Sequence, residues 1–346
     1  MKRETTVIVP DVLAITHCMK MKSLYYFSMG EILDKDIFQS NNEKIIFDIR
    51  IVGNPEEYIE DKYEQFSTYF KVSDEDIFYE REYIGLKCKM LIKGIRSNKI
   101  IVYVNQTYLF FVKFKMDNLY PVGVHLMDVF LLNIISKGNL VVHAASLYNP
   151  RTDDAFLIIA PPDTGKTYST AMLIRNGYKF IGEDLSYYDL KTDSLMCVPY
   201  TSTWGHHFTN KRFSLAQIPI VNWFFIGKKE IVTDIFGKDS IIKRAKLSRI
   251  YLIEKASENS IKRVVFNNEF LRKLIIIQRN EFTYFKNMLL RAFEYINNTN
   301  IDGIMRKEDE SLERLLKTKE LFVVKGKGHD DFYKLIIENE KGYINK

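Results

Sequence analysis

The chain of 346 residues reads as an α/β protein of the α+β, mixed-sheet kind. Its expected parts are a P-loop nucleotide-binding core, a strand-rich N-terminal domain and a helical C-terminal region. Three observations lead there. The apolar run Ala155-Phe-Leu-Ile-Ile159 passes directly into Ala160-Pro-Pro-Asp-Thr-Gly-Lys-Thr167, and then into a helix-like segment poor in glycine. The first hundred or so residues hold long β-branched and aromatic runs, the mark of strands. Charged residues crowd positions 306–320, as on a solvated helix.

Taken in order, Lys44–Val52 and Lys99–Asn105 are predicted strands, separated in part by an acidic, looser stretch over 53–77. Gln106–Phe114 continues the strand pattern, with Asn105-Gln106 as a hairpin turn. A helix follows from about Pro121 to Lys137, where Val124, Met127, Asp128, Leu131 and Ile135 recur at helical spacing and Gly138 ends it. Leu140–Ser146 is a short strand that can form a hairpin with the 155–159 strand across Asn149-Pro150. The helix after the loop spans Lys166–Asn176, with Gly177 left-handed at its end. Strands follow at 178–181, 182–188 and 248–254. Asn280–Ile296 is one amphipathic helix, with Phe282, Phe285, Leu289, Phe293 and Ile296 on a common face. The tail beyond about 337 is expected to fray. Domain divisions are expected at 1–118, 119–300 and 301–346.

Loop chemistry explains why these letters matter. G-x-x-x-x-G-K-[ST] between strand and helix places backbone N–H groups and a helix N-terminus against phosphate oxygens. Here Gly165-Lys166-Thr167 is intact, while Ala160 replaces the first glycine and requires φ below zero. Pro161 and Pro162 remove two N–H donors, so the phosphate nest draws on Asp163 to Thr167. Gly165 allows the tight turn, Lys166 supplies a point charge to the β/γ-phosphates, and the Thr167 hydroxyl joins the Mg2+ shell. Asp163, Thr164, Gly165, Lys166, Thr167 and Tyr168 form the predicted nucleotide-binding segment.

Composition narrows the partners. With 46% hydrophobic and 27% charged residues, the chain has an ordinary globular balance. A net charge of +6 suits an anionic ligand, and no basic run argues for nucleic acid. Cys18, Cys88 and Cys197 are far apart and odd in number, which argues against a disulfide framework. The N-terminus does not read as a signal peptide, and no apolar stretch reaches the length of a membrane span. A cytoplasmic protein with no membrane partner is expected.

Further along, His206 and His207 have no third ligand at metal spacing and are read as substrate or phosphate contacts, as is Arg279. The cations and glycines of Lys325-Gly-Lys-Gly-His-Asp-Asp331 suit a lid or docking loop.

His143 in a strand, the loop at Gly165-Lys166-Thr167, and Glu183-Asp184 beginning 17 residues beyond Lys166 stand in a compact order. This order resembles the HPr serine kinase family, whose fold is shared with phosphoenolpyruvate carboxykinase. Leu119-Tyr-Pro121, Leu140–Ala145 and Ile250–Glu254 also look like kinase-related members of that group, which often stand beside peptide-modification genes. The resembling core covers about 121–253. The resemblance implies ATP (or GTP) and Mg2+ as cofactors, and a peptide or small protein bearing Ser/Thr as acceptor. Carried over, Lys166 binds phosphate, Thr167 and Asp184 hold Mg2+, and Glu183 is the general base, with His143 orienting it or touching phosphate. Glutamate in place of the family's aspartate leaves Asp184 as the other candidate base. Asp163 stands where the family has glycine. A homo-oligomer is compatible with the resemblance. The alternative reading is a nucleotide-binding regulatory or scaffold protein with a degenerate site. Decarboxylation lacks a visible metal set.

Overall fold

A computed structural model describes residues 3–18, 43–60, 62–83, 85–113, 124–198 and 236–344. In chain order its strands and helices begin with β1 (Glu4–Val9), β2 (Leu13–His17), β3 (Ile45–Ile51), β4 (Glu64–Gln65), β5 (Phe70–Val72), β6 (Ile77–Tyr83), β7 (Leu86–Lys93) and β8 (Lys99–Val104). Then come α1 (Gln106–Lys113), α2 (Val124–Ser136), β9 (Leu140–Val142), β10 (Ala145–Asn149), β11 (Asp154–Ile159), α3 (Lys166–Arg175), β12 (Lys179–Gly182), β13 (Ser186–Asp189) and β14 (Ser194–Met196). The last are β15 (Arg244–Lys255), β16 (Ser260–Val264), α4 (Asn268–Glu281), α5 (Met288–Asn297), α6 (Ile301–Thr318), β17 (Glu320–Gly326) and α7 (His329–Ile344).

The protein is mixed α/β, with two mixed sheets. It has two compact units, and the chain passes between them more than once. Described residues of 1–133 and 283–304 belong to the first, and those of 134–208, 230–282 and 305–346 to the second.

The first unit is built on an eight-stranded sheet in the order β1-β2-β3-β8-β7-β6-β5-β4. The β2–β3 and β3–β8 pairs are parallel, and the remaining pairs are antiparallel. Gln106–Lys113 is a helix, where a strand was expected. Asn105 is the reason: its side chain accepts from the Tyr108 N–H at 2.9 Å, capping a helix instead of turning a hairpin. Tyr108 and Phe111, three residues apart, then bury together. Asn280–Ile296 is likewise not one helix. Phe282 ends α4 in extended geometry, and Asn287 starts α5 by accepting from the Leu289 N–H at 3.0 Å.

Asp128 on α2 is buried in this unit and accepts from Asn287 Nδ2 at 2.7 Å. Burial pushes its carboxyl up to about 6, against the lowering effect of the Asn287 bond. Between its ordinary value of 3.8 and about 6, the folded state keeps a proton that the unfolded chain has released. Stability therefore falls as pH rises through that window. Asp128→Asn is expected to remove the fall and to stabilise the protein near neutrality by on the order of 3 kcal/mol. Urea denaturation of both proteins at about pH 4 and about pH 7 measures it.

The second unit carries a nine-stranded sheet in the order β12-β10-β11-β15-β14-β13-β9, with β17 also pairing β15 and β16 pairing β17. The β10–β11 hairpin forms as the sequence suggests, with Asn149 paired to Asp154. β11, β15 and β17 run parallel at the centre. Alternate residues of β11 face opposite ways. Ala155, Leu157 and Ile159 join a core with Phe270, Leu274 and Ile277 of α4 and Leu312, Leu315 and Leu316 of α6. Phe156 meets Tyr178 and Tyr251 instead. The 306–320 charge run is thus the outer face of an amphipathic helix.

The C-terminal region departs from expectation twice. Leu321, Phe322 and Val324 are buried side chains of β17, so the region is not purely helical. The tail beyond 337 is not frayed up to Ile344. Glu340 on α7 is fully buried and binds Arg249 Nε at 2.7 Å, Asn149 Nδ2 at 2.7 Å and the Tyr251 hydroxyl. Arg249, 3% exposed, also donates to Asp154 Oδ2 at 2.8 Å. Among the described residues no helix is long and apolar enough to cross a membrane.

Candidate functional site

The three central parallel strands end at one edge of the sheet: β11 at Ile159, β15 at Lys255 and β17 at Gly326. In sheets of this kind, loops that follow the carboxyl ends form the ligand crevice. The Ala160–Gly165 loop leaves from β11 and the Lys327-Gly328 turn from β17.

Ala160 is buried and keeps a negative φ, while Asp163 takes a φ of 56° and is exposed. Aspartate tolerates this left-handed position better than most residues. Gly165 has a φ of 111° and begins α3, and it has no side chain to cap the helix. No acidic residue stands in the first turn. The positive end of the helix dipole, with no carboxylate in its first turn, suits an anion.

Lys166 and Thr167 then meet the residues picked out in sequence. Lys166 Nζ lies 2.9 Å from His143 Nε2 and 3.1 Å from Asp184 Oδ1. An ammonium only donates, so Nε2 accepts and the ring proton sits on Nδ1. Burial, then the Lys166 charge, push the His143 imidazole down to about 3, against the opposing pull of Asp184. His143 is therefore neutral at physiological pH. The Thr167 hydroxyl donates to Glu183 Oε1.

The acidic pair is shaped by a tight turn. Leu185 N–H returns to the Glu183 carbonyl, leaving Asp184 at the apex with a φ of 53°. Such backbone strain costs on the order of 1–3 kcal/mol and is typical of functional sites. Gly182 makes the return feasible, because a Cβ there would stand 2.6 Å from the Leu185 carbonyl oxygen. The two carboxylates diverge in environment: Glu183 is fully buried, whereas the Asp184 side chain is 28% exposed.

Sequence reasoning missed the layer beneath His143. Gln278 Oε1 accepts from the His143 backbone N–H at 2.9 Å, and Gln278 Nε2 donates to Val141 O at 2.6 Å and Glu308 Oε1 at 3.0 Å. Gln278 and Glu308 are buried polar residues on helices, and that burial is invisible in the letters. Arg279 is not at a helix start but in the last turn of α4, where it pairs with Glu308 and with Asp309 at 2.6 Å. His206 and His207 lie outside the described residues.

The donor set suits Mg2+, which keeps waters and takes one or two carboxylates plus substrate phosphate oxygens. Thr167 and Glu183 already stand together, and Asp184 follows directly. Among the described residues no three His, Cys, Asp or Glu side chains gather as an all-protein metal cage.

The sequence matches no protein-family model, and no curated protein matches it. Among solved structures, the chain is similar to the Hpr(Ser) kinase/phosphatase from Coxiella burnetii. That similarity has 10% identity and a TM-score of 0.30, and it covers 59% of this chain and 97% of that one. At this TM-score the likeness carries no argument about function.

Proposed function

We propose that the chain is an ATP-dependent (or GTP-dependent) kinase that transfers the γ-phosphoryl group to a Ser or Thr hydroxyl of a peptide or small protein. The observation that carries the reading is the meeting of Lys166, His143 and Asp184 beside the uncapped N-terminus of α3, with Thr167 bonded to Glu183. The acceptor class comes from the sequence resemblance.

The difference in exposure supports an assignment of the carboxylates opposite to the sequence expectation. Buried Glu183, bonded to Thr167, belongs on the metal side, and the more exposed Asp184 is the general base. Held by Thr167 and Glu183, Mg2+ would neutralise negative charge on the nucleotide phosphates. Asp184 accepts the proton of the attacking hydroxyl as the oxygen–γ-phosphorus bond forms and the bond to the nucleoside diphosphate breaks. Lys166, anchored by neutral His143, steadies the charge that develops on the phosphoryl oxygens.

Asp184→Asn is expected to lower turnover by roughly 10²–10⁴-fold with nucleotide affinity little changed. Glu183→Gln is expected to raise the Mg2+ concentration needed for half-maximal rate. Transfer from labelled ATP to a Ser/Thr peptide library measures both. Nucleotide binding with no transfer to any peptide would favour the regulatory or scaffold reading instead.

A further inference from the structure

The turn after β17 and the start of α7 are set against the phosphate loop, although over 150 residues of sequence separate them. A Cβ on Gly165 would lie 2.2 Å from His329 Nδ1, so the imidazole rests directly on the loop glycine. Next to it, the Tyr168 hydroxyl donates to Asp330 Oδ1 at 2.7 Å. The Tyr168 ring centroid is 6.3 Å from that of His329 and 6.3 Å from that of Tyr333. Two helices, α3 and α7, thus contribute one aromatic cluster with a carboxylate at its edge. His329 is exposed and Tyr168 and Tyr333 are half-buried, so solvent reaches the cluster. The Tyr168 ring is inclined at 58° to His329 and 64° to Tyr333, which leaves one ring face at a time for a planar ligand.

This group shares no residue with the His143, Lys166 and Asp184 group, which is where a γ-phosphate belongs if the proposed kinase reading holds. A nucleotide that places its terminal phosphate at Lys166 and its inner phosphates on the N–H groups up to Thr167 must carry its nucleoside away from Asp184. Tyr168 is the next residue along α3. Aromatic faces receive a base by stacking, whatever its hydrogen-bonding edge.

Resting on that reading, we infer that Tyr168, His329 and Tyr333 form the shelf for the base of the nucleoside triphosphate, with Asp330 as acceptor for a ribose hydroxyl. The segment 325–331, read in sequence as a lid or docking loop, becomes part of nucleotide recognition. Inheriting its aromatic face from α7 also gives that helix a role beyond packing.

Calorimetric binding of two probes, ATP and inorganic tripolyphosphate, each with Mg2+, separates the shelf from the phosphate site. The wild type is expected to prefer ATP by about tenfold or more, the weight of one stacked base. The double variant His329→Ala/Tyr333→Ala is expected to lose about tenfold in ATP affinity while its tripolyphosphate affinity stays unchanged. Unchanged tripolyphosphate binding also shows that the variant is folded. Equal wild-type affinity for the two probes, or a variant that loses both alike or neither, overturns the shelf. Lys166→Ala tests the underlying reading separately: it should weaken both probes, and if tripolyphosphate binding ignores it, the phosphate site itself is wrong.

Discussion

Replacing Lys166 by alanine is expected to lower phosphoryl transfer by roughly 10³-fold and to weaken nucleotide binding. Loss of one preorganised charge donor at a transition state costs roughly 10²–10³-fold in turnover, and an ammonium on the transferring group stands at the upper end. Lys166 is also the centre of a small electrostatic unit. It is 8% exposed and held by His143 and Asp184, so its charge is screened little by solvent. The variant has a second, independent readout. Because the Lys166 charge helps hold the His143 imidazole down and Asp184 pulls it up, removing Lys166 should move the His143 titration upward from about 3. NMR titration of the ring follows that shift even where activity is low. Lys166→Arg keeps the charge but spreads it over a planar fork, so partial recovery of binding with little recovery of turnover is expected. Full turnover in Lys166→Ala would end the kinase reading.

The largest effect on stability is expected at Glu340, far along the chain from the loop. Removing one partner of a buried pair leaves an uncompensated charge and typically costs about 3–5 kcal/mol. Glu340→Ala strands the Arg249 guanidinium, which is 3% exposed, and also deprives Asn149 and Tyr251 of their acceptor. Asp154 still pairs with Arg249, which places the expected loss toward the lower part of that range. The double variant Arg249→Met/Glu340→Met should recover much of the loss, since a buried pair replaced by apolar side chains of similar volume is often close to neutral. Urea denaturation of the wild type, Arg249→Met, Glu340→Met and the double variant measures the coupling. A double variant no better than Glu340→Ala would place the effect in helix packing instead of charge.

Several local features were legible because they depend on neighbours in sequence. The strand, loop and helix over 155–176 announce themselves through an apolar run, a Gly-Lys-Thr and a glycine-poor segment. Gly177 and Gly138 stop their helices with φ of 92° and 78°, as glycine permits. Other features turned on a single hydrogen bond. Asn105 serves a hairpin or a helix cap equally well as a letter, and the bond to the Tyr108 N–H decides for the cap. Asn287 breaks a continuous apolar stripe in the same way. β17 was hidden in a region whose charges drew attention to helix, although Leu321–Val324 carried a strand signal.

The candidate site divides along the same line. By itself the sequence determined that His143, Lys166, Thr167, Glu183 and Asp184 exist in a compact order with a glycine at the helix start, because loop and cap chemistry is local. Only the tertiary structure decided which carboxylate is buried, which nitrogen of His143 accepts from Lys166, and that Gln278 and His329 stand against the group. Those contacts join segments far apart in the chain. They exist because β11, β15 and β17 lie parallel and end at one edge, where the loops that follow them meet.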